Sequence, residues 1–349
     1  MKTRTQTADL LKGIAALLMI QVHIIELFAT DDIFSSKTGK LLLFLGGPPV
    51  APVFLFFMGY FIAISNKTTA QLVFRGFKII ALGLALNIAL NLNLLISVSR
   101  GKLNMDMLPY IFGVDILPHA GLCIIIIALL KGILEKNILL PIIFAIVAAA
   151  LGEMFLNYVP QQTFLKYILA YFYGDSWWSY FPLFPWLSYS LSGMVFYKIT
   201  QRYDFSSFYS LKAKTGLGLF LCLFLVLTIH YAVSTASDLQ TYYHHGVIFF
   251  IWIITFFLFY GFFMNEVEIK AGTNILFRYL KWMGKNITAV YVIQWILIGN
   301  TATEIYKTVS SPLWLSFSFV TVLTASGFIC FLWLKIKGAI TKKRIHAKH

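Results

Sequence analysis

Long apolar runs constrain this chain more than any other feature. Each is long enough to cross the hydrocarbon core of a bilayer as a helix. Charged residues make up 12% of the 349 residues, whereas about 25% is usual in soluble domains. The sequence therefore predicts an all-α, polytopic integral membrane protein with about 10 transmembrane helices. The ten runs are 8–28, 41–65, 72–97, 108–134, 137–158, 180–199, 213–234, 244–264, 277–299 and 312–336.

A further apolar segment, 163–174, is too short to span, so we expect it to lie in the membrane interface; an eleventh helix is the alternative. The first run is longer than the core of a signal peptide and is not followed by an A-x-A site, so we expect a mature helix. No long linker, tandem repeat or low-complexity tract divides residues 1–349. We therefore predict one transmembrane domain.

Basic residues are distributed unequally between the connecting segments. If the N-terminus is inside, 20 of the 28 Lys and Arg residues fall on the cytoplasmic side and six on the opposite side. This bias predicts an N-in, C-in topology with a short basic cytoplasmic tail at 337–349. It also accounts for the net charge of +14 without a nucleic-acid partner.

The first run carries ionisable side chains on one face. Lys12 and His23 are eleven residues apart, close to three helical turns, and Asp9, Met19 and Glu26 fall near the same stripe. Ionisable groups inside a bilayer usually face a protein interior or a wet cavity. We therefore predict that this stripe is the active face.

Glycines and prolines interrupt the start of the second run. Residues 46–52 contain two glycines and three prolines, which prevents a regular helix start. Non-helical backbone at membrane depth is tolerated where protein or a water-filled cavity covers it. A plain loop-to-helix junction and a cavity-lining segment both fit.

Polar residues in the third run have two interpretations. Arg75 and Lys78, one turn apart at its cytoplasmic start, either anchor the helix at the headgroups or bind an anionic, phosphate-bearing ligand. Asn87 and Asn91 lie further along the run, and we expect their amides to hydrogen-bond between helices.

Asp115 and His119 are four residues apart in the fourth run, so an acid beside an imidazole is expected, as a structural or a working pair. His230, His244 and His245 lie near predicted outer ends, where solvated side chains are the default.

The aromatic segment 177–186 suits a belt at the outer interface, with a sugar-stacking platform as the alternative. The cysteines lie in separate apolar runs without paired spacing, so we expect neither a disulfide nor a metal site; they are Cys123, Cys222 and Cys330.

Taken in order, these motifs resemble a known superfamily. Lys12 and His23 have the spacing of the basic-x10-His motif of acyltransferase-3 membrane proteins. The fuller pattern is similar to bacterial relatives of heparan-alpha-glucosaminide N-acetyltransferase, and its segments are 9–23, 46–59, 75–78, 115–121, 184–186 and 284–295. Such proteins move an acyl group from cytosolic acyl-CoA to an acceptor, commonly a sugar, across the membrane.

The resemblance assigns roles to matching residues. It implies that His23 is the catalytic histidine, and Glu26, one turn on, would orient it or bind the acceptor. The residues that would bind the donor are Lys12, Arg75, Lys78, Lys285 and Asn286. The acceptor-side candidates are Asp115, His119 and Gln294. Lys stands at 12 and 78 where the motif often has Arg, and Gln294 stands where many members have His.

The sequence thus predicts a membrane-embedded acyltransferase that moves an acyl group, expected to be acetyl, from acyl-CoA to an extracytoplasmic sugar or glycolipid. A neutral imidazole suits the removal of the acceptor proton near pH 7. Direct transfer and an acyl-histidine intermediate are both allowed. The bilayer is a partner, and a homo-oligomer is left open. The main alternative is a transporter with a polar mid-membrane site; a structural membrane protein is a third.

Overall fold

The computed structural model describes residues 6–158, 162–174, 176–202 and 211–346, and over these residues the chain is helical, without strands. The helices in chain order are α1 (Gln6–Phe28), α2 (Asp31–Ser35), α3 (Lys37–Gly46), α4 (Ala51–Ile64), α5 (Thr69–Leu90), α6 (Leu92–Ser99), α7 (Leu108–Phe112), α8 (Ile116–Leu134), α9 (Leu139–Met154), α10 (Thr163–Leu169), α11 (Leu183–Arg202), α12 (Leu211–Ser237), α13 (Leu239–Tyr243), α14 (Val247–Ala271), α15 (Ile275–Lys285), α16 (Ile287–Ile305) and α17 (Pro312–His346).

Seven helical segments of the described chain are long and apolar enough to cross a membrane: Gln6–Phe28, Lys37–Ile64, Thr69–Leu90, Ile116–Leu134, Thr215–Ser237, Val247–Ala271 and Pro312–Thr341. Leu139–Met154 is a shorter apolar helix. The protein is therefore an all-α, multi-pass integral membrane protein, as predicted. The count of ten and the N-in, C-in orientation stay predictions.

Several predicted runs consist of two helices rather than one. The run 41–65 divides between Gly46 and Ala51, where the glycines and prolines stop α3 and start α4. The run 277–299 divides at Asn286, whose side chain caps the end of α15. The segment 163–174 contains only the seven-residue α10, which is too short to span. The predicted tail 337–349 continues α17 to His346, and its last three residues lie outside the described chain.

Helix α1 is the centre of the fold. It packs against α3, α4, α14, α15, α16 and α17. Most of its residues are buried, including Asp9 and Lys12. The ionisable stripe predicted from the sequence is therefore enclosed by protein.

Two glycines allow α1 and α15 to meet backbone to backbone. A Cβ atom added at Gly13 would lie 1.9 Å from the carbonyl oxygen of Leu280, and one added at Gly284 would lie 1.9 Å from that of Asp9. Small residues are enriched where membrane helices approach closely for this reason. The seam between α1 and α15 has no room for any side chain at either position.

The asparagines of α5 hydrogen-bond between elements, as predicted. The Nδ2 atom of Asn87 donates to the carbonyl oxygen of Gly113 at 2.8 Å, and that of Asn91 donates to Tyr110 at 3.2 Å. These bonds hold the segment before α8 against α5. They therefore fix where α8 begins.

Candidate active site

A cavity lies beside the second half of α1. It encloses about 470 Å³ of empty space, part of it open to solvent. Its walls come from α1, the turn between α3 and α4, the start of α8, the end of α12, α13 and α16. Its ionisable lining groups include His23, Glu26 and Asp115, and no Lys or Arg of the described chain lines it.

His23 is held by the carboxylate one turn further along α1. The Nδ1 atom of His23 lies 3.1 Å from Oε2 of Glu26, and both side chains are 13% exposed. In the tautomer that satisfies this contact, Nδ1 carries the proton and donates to the carboxylate. Nε2 is then the basic atom of the ring.

Trp295 of α16 covers the ring of His23. The centroids of the two rings are 3.9 Å apart, with 34° between their planes. Trp295 also lines the cavity. The imidazole is therefore enclosed at its Nδ1 edge by a carboxylate and over its face by an indole.

Asp115 joins two walls of the cavity. Its Oδ1 atom accepts from the backbone N–H of Ile116 at 2.7 Å, capping α8. Its Oδ2 atom accepts from the hydroxyl of Tyr291 at 2.5 Å. The side chain thus ties the start of α8 to α16.

The predicted pair of Asp115 and His119 does not form. Nε2 of His119 lies 3.1 Å from Sγ of Cys123, and both side chains are buried. Asp115 has an extended backbone, φ −88° and ψ 177°, because it precedes the first turn of α8. The expectation of a shared helical face therefore fails at this position, and His119 does not line the cavity.

The glycine and proline segment lines the cavity, which favours the cavity-lining interpretation over a plain loop-to-helix junction. Gly46, Gly47, Val50 and Ala51 all form part of the wall. Because two of them have no side chain, backbone forms this part of the wall.

Lys12 is paired at the other end of α1. Its Nζ atom lies 2.9 Å from Oδ1 of Asp9, and both side chains are nearly buried. The same ammonium lies 5.4 Å from the ring centroid of Phe61. Lys12 does not line the cavity that contains His23.

The other predicted donor-binding residues are likewise separate from His23. Arg75 and Lys78 are exposed on α5, and Lys285 is exposed at the end of α15. Asn286 donates from Nδ2 to the carbonyl oxygen of Trp282 at 2.9 Å and so serves as a cap. None of the four lines the cavity.

Gln294, predicted on the acceptor side, is fully buried in α16. Neither its side-chain nitrogen nor its oxygen hydrogen-bonds to any part of the chain that the structure describes. It precedes Trp295 in sequence but does not line the cavity.

The expectation of solvated outer histidines is wrong for His244 and His245, which are buried, whereas His230 is exposed. Nδ1 of His245 donates to the carbonyl oxygen of Tyr242 at 2.7 Å, and its Nε2 accepts from the hydroxyl of Tyr189 at 2.5 Å. The short helix α13 brings these residues inward, which a linear pattern does not indicate.

The aromatic segment is only partly interfacial. Trp177 is 52% exposed, as a belt residue would be, but Trp186 is completely buried. Its Nε1 atom donates to the carbonyl oxygen of Tyr243 at 2.7 Å. Phe181 lines the cavity together with Tyr243.

Five aromatic residues of the cavity were not among the predicted site residues: Phe181, Tyr242, Tyr243, Tyr291 and Trp295. Tyr291 and Trp295 are four residues apart, which places both on one face of α16, so their spacing was a usable signal. Tyr242 and Tyr243 carry no such signal, because the fold alone brings α13 to the cavity.

A multi-pass membrane protein with a histidine and a carboxylate in one cavity fits the class of membrane acyltransferases. Residues 4–230 match the family model described as heparan-alpha-glucosaminide N-acetyltransferase, catalytic. This is more than half of the chain, so the protein belongs to that family, as the resemblance implied. The family is one of membrane acetyltransferases that act on sugars. No significant match was found among curated proteins or among solved structures.

The family match includes the part of the cavity that carries its acids and its histidine. His23, Glu26 and Asp115 all lie between residues 4 and 230. The wall formed by α13 and α16 lies beyond residue 230. The match therefore says nothing of Tyr291 or Trp295.

Proposed function

We propose that this protein transfers an acetyl group from an acyl-CoA donor to a hydroxyl or amine of a sugar or glycolipid. The observation that carries the proposal is the imidazole of His23, which lines a cavity while Glu26 engages its Nδ1 atom at 3.1 Å. This arrangement leaves Nε2 to act as a base. His23 lies in the second half of α1, which suits an acceptor from the side opposite the N-terminus.

The transfer uses one proton shuttle. Nε2 of His23 takes the proton of the acceptor O–H or N–H while that atom attacks the thioester carbonyl carbon. The C–S bond then breaks, and the thiolate of coenzyme A leaves with the proton from the imidazolium. Glu26 stabilises the imidazolium between these steps, since the charge lies beside its carboxylate. An acyl-histidine route would use the same Nε2 atom as nucleophile.

The charge of the cavity supports binding of the two ends of the donor at different places on the protein. No Lys or Arg of the described chain lines the cavity, so the donor phosphates have no counter-charge there. We place only the thioester end of the donor beside His23. Arg75, Lys78 and Lys285, which are exposed, supply positive charge for the phosphates outside the cavity.

The carboxylates of the cavity also bear on the acceptor. Glu26 and Asp115 disfavour a second negative charge next to the reacting atom. Neutral or amino sugars are therefore the acceptors that fit. A sugar whose carboxylate or sulfate adjoins the accepting group is expected to react more slowly.

The test uses full-length protein in lipid nanodiscs with labelled acetyl-CoA and a panel of neutral and amino sugars. His23→Ala is expected to lower the transfer rate by about 10²–10⁴-fold, because the general base is lost. His230→Ala, at an exposed histidine, is the matched control and keeps the wild-type rate. Full transfer activity in His23→Ala would overturn the proposal.

A further inference from the structure

We infer that α16 positions the catalytic histidine, with the indole of Trp295 as the surface against which the imidazolium forms. The inference rests on the proposed function, in which His23 accepts a proton. Residues 291 and 295 lie beyond the family match, which ends at residue 230.

The indole of Trp295 lies against one face of the imidazole of His23. A centroid separation of 3.9 Å and a tilt of 34° place the imidazole of His23 over the π face of Trp295. The face of an aromatic ring carries partial negative charge and attracts a cation. This attraction is strongest when His23 is protonated, which in the proposed reaction occurs only after the acceptor proton has moved. Binding that strengthens late in a reaction raises kcat rather than substrate affinity.

Tyr291 and Asp115 hold the helix that carries the indole. Trp295 lies one turn after Tyr291 on α16, so both residues share a face. The hydroxyl of Tyr291 donates to Oδ2 of Asp115 at 2.5 Å, while Oδ1 of Asp115 accepts from Ile116. Both carboxylate oxygens are thus engaged. Asp115 and Tyr291 therefore act as positioning residues, because they tie α16, which packs against α1, to the start of α8.

The two supports of His23 come from different helices. Glu26, on α1 itself, engages the Nδ1 edge, and Trp295, on α16, covers the face. These contacts occupy one face and the Nδ1 edge, and the proposed reaction uses the Nε2 edge. The chain of contacts from Asp115 through Tyr291 and Trp295 sets the ring plane, and the carboxylate of Glu26 sets its rotation in that plane.

The experiment measures kcat, KM and the pH dependence of kcat/KM for Trp295→Leu and Trp295→Phe in nanodiscs. Trp295→Leu is expected to lower kcat about tenfold, with KM for both substrates within about twofold. The acidic limb of its pH profile moves to lower pH, because the protonated ring has lost a stabilising partner. Trp295→Phe keeps a π face and shows the same changes at smaller size. Trp314→Leu, at a tryptophan that is 62% exposed, is the control and matches the wild type.

The positioning role of Tyr291 is tested by a double-mutant cycle. Tyr291→Phe is expected to lower kcat about threefold, because α16 loses its bond to Asp115. If Tyr291 acts through the indole, that loss disappears when Trp295→Leu is already present. Additive losses would overturn the role of Tyr291.

A Trp295→Leu profile that superimposes on the wild-type pH profile would overturn the role of Trp295, whatever happens to kcat. Should the leucine variant fail to fold, Trp295→Met, which also lacks a π face, takes its place, and a superimposable profile for that variant has the same meaning. Loss of activity in His23→Ala with unchanged Trp295 variants would refute this inference and leave the proposed function standing. Full activity in His23→Ala would remove both.

Discussion

The two ends of α1 each carry an acid and a base three residues apart, yet their surroundings differ. Asp9 and Lys12 approach to 2.9 Å where α1 meets α15, and both side chains are buried. His23 and Glu26 approach to 3.1 Å beside the cavity, which is partly open to solvent. Of these two ionisable pairs, the one that lines the cavity is the candidate for proton transfer.

The chemistry of the two pairs differs as well. The pair of Asp9 and Lys12 joins two turns of α1 and does not line the cavity. An imidazole can accept and release a proton, so His23 can act as a base beside the same kind of carboxylate. Substitutions at the two ends should therefore act on different properties, stability at one end and turnover at the other.

The largest effect on stability is expected from Asp9→Asn. It removes the carboxylate beside a buried ammonium, and breaking one partner of a buried pair costs about 3–5 kcal/mol. Thermal and denaturant unfolding followed by tryptophan fluorescence measure the change. Asp32→Asn, at an exposed carboxylate of α2, is the control, and the double variant Asp9→Leu with Lys12→Met should recover most of the loss. A loss no larger than that of Asp32→Asn would contradict the structural role of the pair.

Gly13→Ala should cause the next largest loss of stability. Its Cβ atom would lie 1.9 Å from the carbonyl oxygen of Leu280, so α1 and α15 would have to separate. Overpacking of this kind costs about 1–3 kcal/mol in the free energy of unfolding. Gly261→Ala is the matched control, because its Cβ atom meets nothing within 4 Å in α14 and alanine suits a helix interior. Equal melting temperatures for the two variants would show that the seam yields without strain.

At the cavity end, Glu26→Gln should lower kcat about tenfold, because a neutral amide stabilises the imidazolium less than a carboxylate does. Steady-state kinetics measure the change, and the melting temperature is expected to stay within error of the wild type. Glu304→Gln replaces an exposed carboxylate and serves as the control. If Glu26→Gln lost stability but kept its turnover, the contrast between the two ends would fail.

The smallest effect is expected from Lys307→Met, just beyond the same end of α1. Nζ of Lys307 lies 2.7 Å from Oδ1 of Asp31, and this hydrogen bond raises the pKa of the lysine. The pair is solvent-exposed, so its loss should cost at most about 1 kcal/mol. A raised pKa gives stability that is present at neutral pH and is lost as pH rises above about 10.5. Melting temperatures of wild type and variant should thus converge in strongly alkaline buffer, and a constant difference would contradict this origin.

The part of the cavity wall that α1 supplies was predictable because it depends on spacing within one helix. His23 and Glu26 lie where the stripe on α1 places them, and the cavity wall at 46–51 follows from prolines and glycines that interrupt a continuous helix. Both inferences use only local geometry. They required no knowledge of which helices are neighbours.

The rest of the site depends on boundaries and on tertiary contacts. The predicted pairing of Asp115 with His119 is wrong because α8 begins between them. The spacing of apolar residues does not predict the first residue of a helix to within one position. The partner of Asp115 is Tyr291, 176 residues away in sequence. The donor-binding set stays a prediction, since Lys12, Arg75 and Lys78 lie apart from the cavity.

The glycine seam restricts how α1 can move. With carbonyl oxygens seated against Gly13 and Gly284, α1 cannot slide along α15 or turn against it without steric collision. The opposite flank of α1 meets α4 and α14 through large rings, among them Phe57 and Phe257, which can swing about their side-chain bonds. Any movement of α1 is therefore expected on the flank lined by phenylalanines, while the flank at the glycine seam stays fixed.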